Sequence, residues 1–319
     1  MADSTKPADG ERLDSYLVRQ ALAASRREAR SLIAAGHVRV NGYRCAKGRI
    51  LRAGDVVEVS TPPAAAALTP DFDQPLDVLY YDEDIAVVNK PGLLPCHPLR
   101  LQDRLTLMNS VVARFPQAAG VGNKELEGGL VHRLDNGTSG AIMVALNAES
   151  FTRLRTALKR GGILRRYVAL AQGDVKNSLQ LTAPIAHHPR NRRKMIAVHE
   201  SSLADKLRAR PASTAAAPIR RINGFTLLEV VPATGSRHQI RVHLADAGFP
   251  IAGDELYGGP AATALAPGRF FLHLSELCIP RGIKPGDAPA VQGESASQLL
   301  EVVAPLPDDL QACIRQMSH

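Results

Sequence analysis

The run Ala141-Ile142-Met143-Val144-Ala145-Leu146 has no polar face, and such a segment is stable only as an interior strand or core segment. Directly before it stands His132-Arg133-Leu134-Asp135-Asn136-Gly137-Thr138-Ser139-Gly140. Asn136-Gly137 is a strong turn signal, so Asp135 is expected on a tight loop at the mouth of a rigid element. Arg133 shares that loop. An ionised acid and a permanent cation beside two small hydroxyl residues suit a pocket for a polar substrate; they equally suit a surface turn closed by an Arg–Asp pair.

Residues 1–10 carry no apolar pattern and are expected to form a disordered tail. From Arg12 onward, Leu13, Leu17 and Val18 space the apolar face of a helix. A second helix is predicted from Ser25, as its N-cap, through Leu32 and Ile33 to a stop at Gly36. Val38-Arg39-Val40, the turn Asn41-Gly42 and Val56-Val57-Glu58-Val59 read as short strands. A small helix-plus-strand domain is therefore expected over residues 11–60, and Arg26, Arg27 and Arg30 cluster at the start of its second helix. That cluster is either a solvated basic face or a grip on a polyanion. Residues 61–75, with Pro62-Pro63, successive alanines and Pro70, are expected to be a linker, and residues 76–319 a second domain.

Within that second stretch, residues 78–81 and 85–89 are predicted strands around the acidic turn Asp82-Glu83-Asp84. Helices are predicted over residues 105–115 and over residues 148–159, the latter capped by Asn147. Residues 225–231 form a β-prone run. Ser236 and Gln239 then have capping-box spacing for a helix reaching Gly248, with Arg241 and His238 on one side of it and Ile240 and Leu244 on another. Residues 269–274 and 299–303 are strand-like, and residues 308–317 a terminal helix. Arg153, Arg155, Lys159, Arg160, Arg165 and Arg166 form a band of cations without acids, placed to hold phosphates. The run from His187 to Lys194, with Arg192 and Arg193, has the composition of a phosphate-gripping loop or of a solvated one. Residues 201–217 show no pattern.

Lysine and arginine total 39 against 31 acids, a net charge of +8 over 319 residues, which favours a polyanionic partner. Cys45, Cys96, Cys278 and Cys313 are scattered singly, as in a reducing cytoplasm, with no zinc or disulfide spacing. His238 and His243 are poorly spaced for one helix face, so no metal site is expected. The polar first residues and the lack of a span-length apolar run point to a protein that stays off membranes, in the cytoplasm.

His-Arg-Leu-Asp-x-x-Thr-Ser-Gly at residues 132–140 resembles, position for position, the signature of the RluA family of RNA pseudouridine synthases. Arg165-Arg166-Tyr167-Val168-Ala169-Leu170 with Gly173, and the segment from Thr234 to Leu244, are similar to two further family segments, in the same order. Arg12-Leu13-Asp14, Ser25-Arg26, the segment from Gly36 to Gly42, and Gly54-Asp55 resemble the RNA-binding module of ribosomal small-subunit protein four.

The resemblance implies an α+β fold, in which a small RNA-binding domain precedes a synthase domain built on a mixed, mainly antiparallel sheet with a central cleft. It implies Asp135, Tyr167 and Arg241 as the catalytic residues, acting without metal or organic cofactor. It places Arg26, Arg27, Arg30, His132, Arg133, Arg165, Arg237 and His238 among the RNA contacts, and the basic composition of their run adds Arg192 and Arg193. Arg165 stands where the family commonly has lysine, and Ser236-Arg237 replaces the usual Arg-Ser or Arg-Thr order. His132 and Ser139 argue against the sister family that acts on small-subunit RNA. The substrate implied is RNA, large-subunit ribosomal RNA ahead of transfer RNA, met by a monomer. Two rivals are a non-catalytic RNA-binding protein of the same fold, and a hydrolase, which would need a second carboxylate or a metal beside Asp135.

Overall fold

Leu13 and Leu17, one helical turn apart, are fully buried and set the core of the first of two units. The computed structural model describes residues 7–23, 26–46, 48–60, 68–100, 103–122, 126–281 and 299–318. It divides into Met1–Ala66 and Ala67–His319.

In the first unit, α1 (Leu13–Arg19) and α2 (Arg26–Ala35) turn Leu13, Tyr16, Leu17, Ala29 and Ile33 onto β1 (Val38–Val40) and Leu51. Strands β2 (Tyr43–Arg44) and β3 (Val57–Val59) flank β1, both antiparallel to it. The β1–β2 turn is Asn41-Gly42, with φ of 53° and 80°, left-handed values that these two residues tolerate better than most. Ser25, the expected cap of α2, and residues 1–6 of the expected tail lie outside the described residues. Gly10, at the end of that tail, is already tied down, its N–H donating to the Leu51 carbonyl at 3.0 Å.

The second unit is built on a mixed sheet. Its strands are β4 (Asp77–Tyr81), β5 (Ile85–Lys90), β6 (Ser139–Ala145), β7 (Leu164–Gln172) and β8 (Leu179–Leu181). After a separate antiparallel hairpin of β9 (Ile185–His187) and β10 (Met195–Ala197) come β11 (Thr214–Ile222), β12 (Phe225–Pro232), β13 (Leu272–Pro280) and β14 (Leu299–Val303). The spatial order is β4-β5-β6-β13-β7-β12-β11-β8, with β14 also pairing β13. Among the described residues only β6 and β13 run parallel, and every other pair in this sheet is antiparallel. The apolar run becomes β6, buried at all its positions between β5 and β13. Burying side chains such as Ile142, Met143 and Val144 stabilises the fold by about 2 kcal/mol each. Gly140 opens this strand at φ +118°, where an added Cβ would run into the backbone of Leu274.

Around the sheet lie α3 (Leu107–Arg114), α4 (Ala148–Lys159), α5 (Ser201–Leu207), α6 (Gln239–Asp246) and α7 (Asp308–Met317). Asn147 caps α4 as expected, accepting from the Ser150 N–H at 2.8 Å. Among the described residues no helix is long and apolar enough to cross a membrane.

Three local expectations are corrected, and one stretch that gave no expectation is filled in. The stretch expected as linker packs from Leu68 onward: Leu68 is buried, Asn109 donates to the Thr69 carbonyl, and the Asp71 N–H donates to the Asn109 carbonyl. One apolar anchor and two backbone bonds leave no periodicity to read; residues 61–67 lie outside the described residues. Ser236 is not the N-cap of α6. That place is taken by His238, and Gln239 instead reaches back to accept from the Ser236 N–H and the Thr234 hydroxyl. The strand expected from residue 269 begins at Leu272, because Arg269 turns inward as a buried cation. Residues 201–217, which showed no pattern, hold α5 and the start of β11.

Candidate active site

The sheet register brings the site together. Leu274 of β13 pairs with Gly140 on one side and Tyr167 on the other, so the loop before β6 and the middle of β7 flank the same strand. Asp135 sits in that loop, which is closed by the Thr138 N–H donating to the Asp135 carbonyl at 3.0 Å. Two buried cations hold the next two carbonyls. Lys90 donates through Nζ to the carbonyls of Asn136, Pro91 and Leu94, and Arg269 donates through Nη1 to that of Gly137. Arg269 also reaches Ser139 Oγ, and through Nε the Asp309 carboxylate on α7. Burial pushes the Lys90 ammonium down to about 8.

Arg241 rises from α6 to meet this loop. Its Nη1 donates to Asp135 Oδ2 at 3.0 Å, while Nε and Nη2 donate to the two oxygens of Asp254 at 2.7 Å each. The guanidinium lies over the rings of Phe270 and Tyr257, at 4.2 and 4.9 Å from their centroids. Burial pulls the Arg241 pKa down, but Asp254 and Asp135 outweigh it and the net shift is upward. A fixed cation thus faces a carboxylate that is itself a quarter exposed.

Tyr167 is buried on β7, and its phenol is pushed up by burial and by the Asp135 charge, with Arg165 opposing. At neutral pH it is therefore a protonated hydroxyl. His238, from the start of the same helix, also faces Asp135, its Nε2 at 3.9 Å from Oδ1. Burial pushes its imidazole down to about 4.

Asp135, Tyr167, Arg241 and His238 therefore converge. Arg133 is exposed on the same loop, and Arg237 extends from the loop before α6 to the hairpin, where its Nη1 approaches the Arg192 carbonyl at 3.5 Å. Arg192 and Arg193 are exposed at the hairpin tip. Two residues expected to touch RNA are instead interior supports. His132 is buried, accepts from the Met143 N–H through Nε2, and is pushed down to about 3 by burial and by Arg165 and Arg155. Arg165 is also buried and donates through Nη2 to the carbonyls of Pro232 and Thr234, shaping the turn ahead of α6.

Most of the expected cation band is likewise engaged within the protein. Arg153 pairs with Asp84, Arg155 donates to the Val131 carbonyl, and Arg166 pairs with Glu276. In the first unit, Arg26 and Arg30 are exposed, and together with Arg12 they converge on the buried Asp14 at 2.8–3.2 Å. Burial would raise the Asp14 carboxyl, but these guanidinium bonds hold it far below the usual range. The side chain of Arg27 lies outside the described residues.

Asp254, Tyr257, Lys90 and Arg269 carry the site and escaped notice in the sequence. For Asp254 a signal did exist: a buried guanidinium has five N–H donors, and Asp135 alone cannot satisfy them. The second carboxylate that a hydrolase would need is thus nearby, but it is buried and held by two bonds to Arg241. Among the described residues no group of three or more His, Cys, Asp or Glu is placed to hold a metal.

Comparison with known proteins agrees with this architecture. The family described as RNA pseudouridylate synthase matches residues 84–246, and the S4 domain matches residues 11–57. An uncharacterized RNA pseudouridine synthase of Synechocystis is 34% identical over 304 residues, covering 93% of this chain and 86% of that one. Ribosomal large subunit pseudouridine synthase D of Xanthomonas campestris is 34% identical over 311 residues (95% and 88%), and its namesake in Escherichia coli O157:H7 is 35% identical over 251 (78% and 73%). The solved structure of human RNA Pseudouridylate Synthase Domain Containing 1 shares the fold, with a TM-score of 0.54 at 24% identity over 79% of this chain and 90% of that one. With relatives of this similarity along nearly its whole length, the chain belongs to the RluA family of RNA pseudouridine synthases, RNA-binding isomerases, and carries an S4 domain ahead of the synthase fold.

Proposed function

We propose that this enzyme converts specific uridines of large-subunit ribosomal RNA into pseudouridine, with Asp135 as the reacting carboxylate and no cofactor. The bond between ribose carbon 1 and uracil nitrogen 1 breaks, the base turns over, and carbon 5 joins the sugar while its proton is released. Nitrogen 1 gains a proton, so atoms and electrons balance without oxidant, reductant or water. The reaction needs a carboxylate held beside a fixed cation, and Asp135 bonded to Arg241 at 3.0 Å is the observation that carries this reading.

Tyr167 supplies a ring for the uracil to stack on and a hydroxyl near carbon 5. Its phenol is held up partly by the Asp135 charge. Once that charge is consumed in bonding to substrate, the phenol gives up or relays a proton more readily. These atoms are hidden in stacked RNA, so the target uridine flips out to reach them. Arg133, Arg192, Arg193 and Arg237 stand exposed in the synthase unit for phosphate contact, and Arg26 and Arg30 serve the same end in the S4 domain.

The choice of substrate is supported by the names of the Xanthomonas and Escherichia relatives. The test maps pseudouridines in ribosomal and transfer RNA from cells with the wild-type gene, without it, and with Asp135→Ala. The expected result is a large-subunit site that disappears in both altered strains. A missing transfer RNA site would move the substrate, and a site retained in Asp135→Ala would overturn the role of the carboxylate.

A further inference from the structure

His238 occupies a conformation that its sequence neighbourhood does not explain. It is a non-glycine residue at φ +55°, directly ahead of α6, and it gives that helix no side-chain cap. Left-handed backbone costs a side-chain-bearing residue roughly 1 kcal/mol, so something must hold it there. The holding contact is Tyr257, from the short turn Glu255–Tyr257 that follows Asp254. Its hydroxyl lies 2.8 Å from His238 Nδ1, with the two rings edge to face at 5.7 Å.

The other partner of Tyr257 favours its hydroxyl as the donor in that bond. The Met195 N–H donates to the Tyr257 oxygen at 2.8 Å, which leaves the hydroxyl proton free for His238. Burial pushes the Tyr257 phenol up, so it keeps that proton at neutral pH. The opposite end of the imidazole agrees. Nε2 faces Asp135 Oδ1 at 3.9 Å; a bare lone pair there would meet a carboxylate, whereas an N–H meets an acceptor. Burial, with Arg241 and Arg237 nearby, keeps the ring from taking a second proton.

We propose that Tyr257 fixes His238 as the neutral Nε2–H tautomer, so that His238 is a positioning residue that presents one N–H to the free oxygen of Asp135, opposite Arg241. The inference rests on the proposed role of Asp135. The carboxylate is then gripped at both oxygens, one by a cation and one by a neutral donor, and the separation of 3.9 Å closes to a hydrogen bond when RNA fills the site. A neutral donor orients the acid without adding a second full charge that would blunt its reactivity. Tyr257 also ties this relay to the basic hairpin, through Met195 and through Lys194, whose Nζ lies 5.6 Å from the ring centroid.

The test has two readouts. Nitrogen NMR of the imidazole in the wild-type protein at neutral pH reports the tautomer without any need for activity. The expected spectrum has a protonated Nε2 and a bare Nδ1, the latter assignment disturbed in Tyr257→Phe; an imidazolium or an Nδ1–H form would overturn the proposal. The second readout is single-turnover pseudouridine formation on ribosomal RNA. Tyr257→Phe is expected to slow it about tenfold, the worth of one charge-assisted hydrogen bond, with RNA affinity within about twofold of wild type. Glutamine places its amide nitrogen where Nε2 was and asparagine where Nδ1 was. His238→Gln should therefore outrun His238→Asn by at least about fivefold, and equal rates would overturn the proposal. Wild-type protein that modifies no uridine would sink the assigned reaction while leaving the tautomer measurement intact.

Discussion

Asp254 grips Arg241 by two bonds of 2.7 Å, whereas Asp135 receives one of 3.0 Å from the same guanidinium. The inner pair is buried, at 7% and 1% exposure, so Asp254 anchors the cation and Asp135 takes only its outer edge. Asp254→Ala strands a buried guanidinium and is expected to cost about 3–5 kcal/mol in urea unfolding. Asp135→Asn, at a quarter-exposed position, is expected to cost under about 1 kcal/mol while abolishing pseudouridine formation. Equal losses of stability would refute this division of labour.

Lys90 is fully buried beneath the Asp135 loop, and its ammonium is pushed from 10.5 down to about 8, by burial first. Between those two values the unfolded chain holds a proton that the folded chain has released, so folding is favoured as pH rises through that window. Lys90→Met removes this dependence. The difference in unfolding free energy between wild type and variant should shift toward wild type from about pH 7.5 to about pH 10. A flat difference would mean that Lys90 titrates normally.

For His132 the sign runs the same way in acid. Its imidazole falls from 6.5 to about 3, so its contribution to stability is complete above 6.5 and is lost as pH drops toward 3. His132→Gln should flatten the acid limb of the thermal unfolding profile and leave RNA affinity unchanged. Weakened RNA binding in that variant would return His132 to the contact surface.

In the S4 domain, Asp14 gathers Arg12, Arg26 and Arg30, and three cations on one carboxylate leave a net positive, pre-ordered cluster. Arg30→Ala is expected to weaken binding of structured RNA and to reduce the slope of log affinity against log salt by about 0.7–0.9, one phosphate contact. Fluorescence anisotropy across a salt series measures both. An unchanged slope would assign Arg30 to the fold alone.

What the sequence made legible depended on range. The α4 cap at Asn147, the β1–β2 turn at Asn41-Gly42 and the buried run of β6 are local signals, and they appear where periodicity and turn chemistry put them. Asp135, Tyr167 and Arg241 were singled out through family motifs, since they stand on three segments far apart in sequence. Asp254, Tyr257, Lys90 and Arg269 lie in short turns or at a strand end, and each acts through a bond to a distant carbonyl, guanidinium or ring. No periodic pattern marks such positions. His132 misled for the opposite reason: its place in a signature suggested contact with substrate, while its ring serves the Met143 backbone.

The parallel pairing of β6 with β13 joins segments more than a hundred residues apart, and Arg269 then fastens the Asp135 loop to Asp309 on the last helix. Pairings of this kind form late, because the intervening chain must be made before its ends can meet. During synthesis the strand pairing and the Arg269–Asp309 bond that brace the Asp135 loop therefore cannot form until β13 and α7 have emerged. A chain cut short of β13 keeps the S4 sequence but lacks both braces of the Asp135 loop.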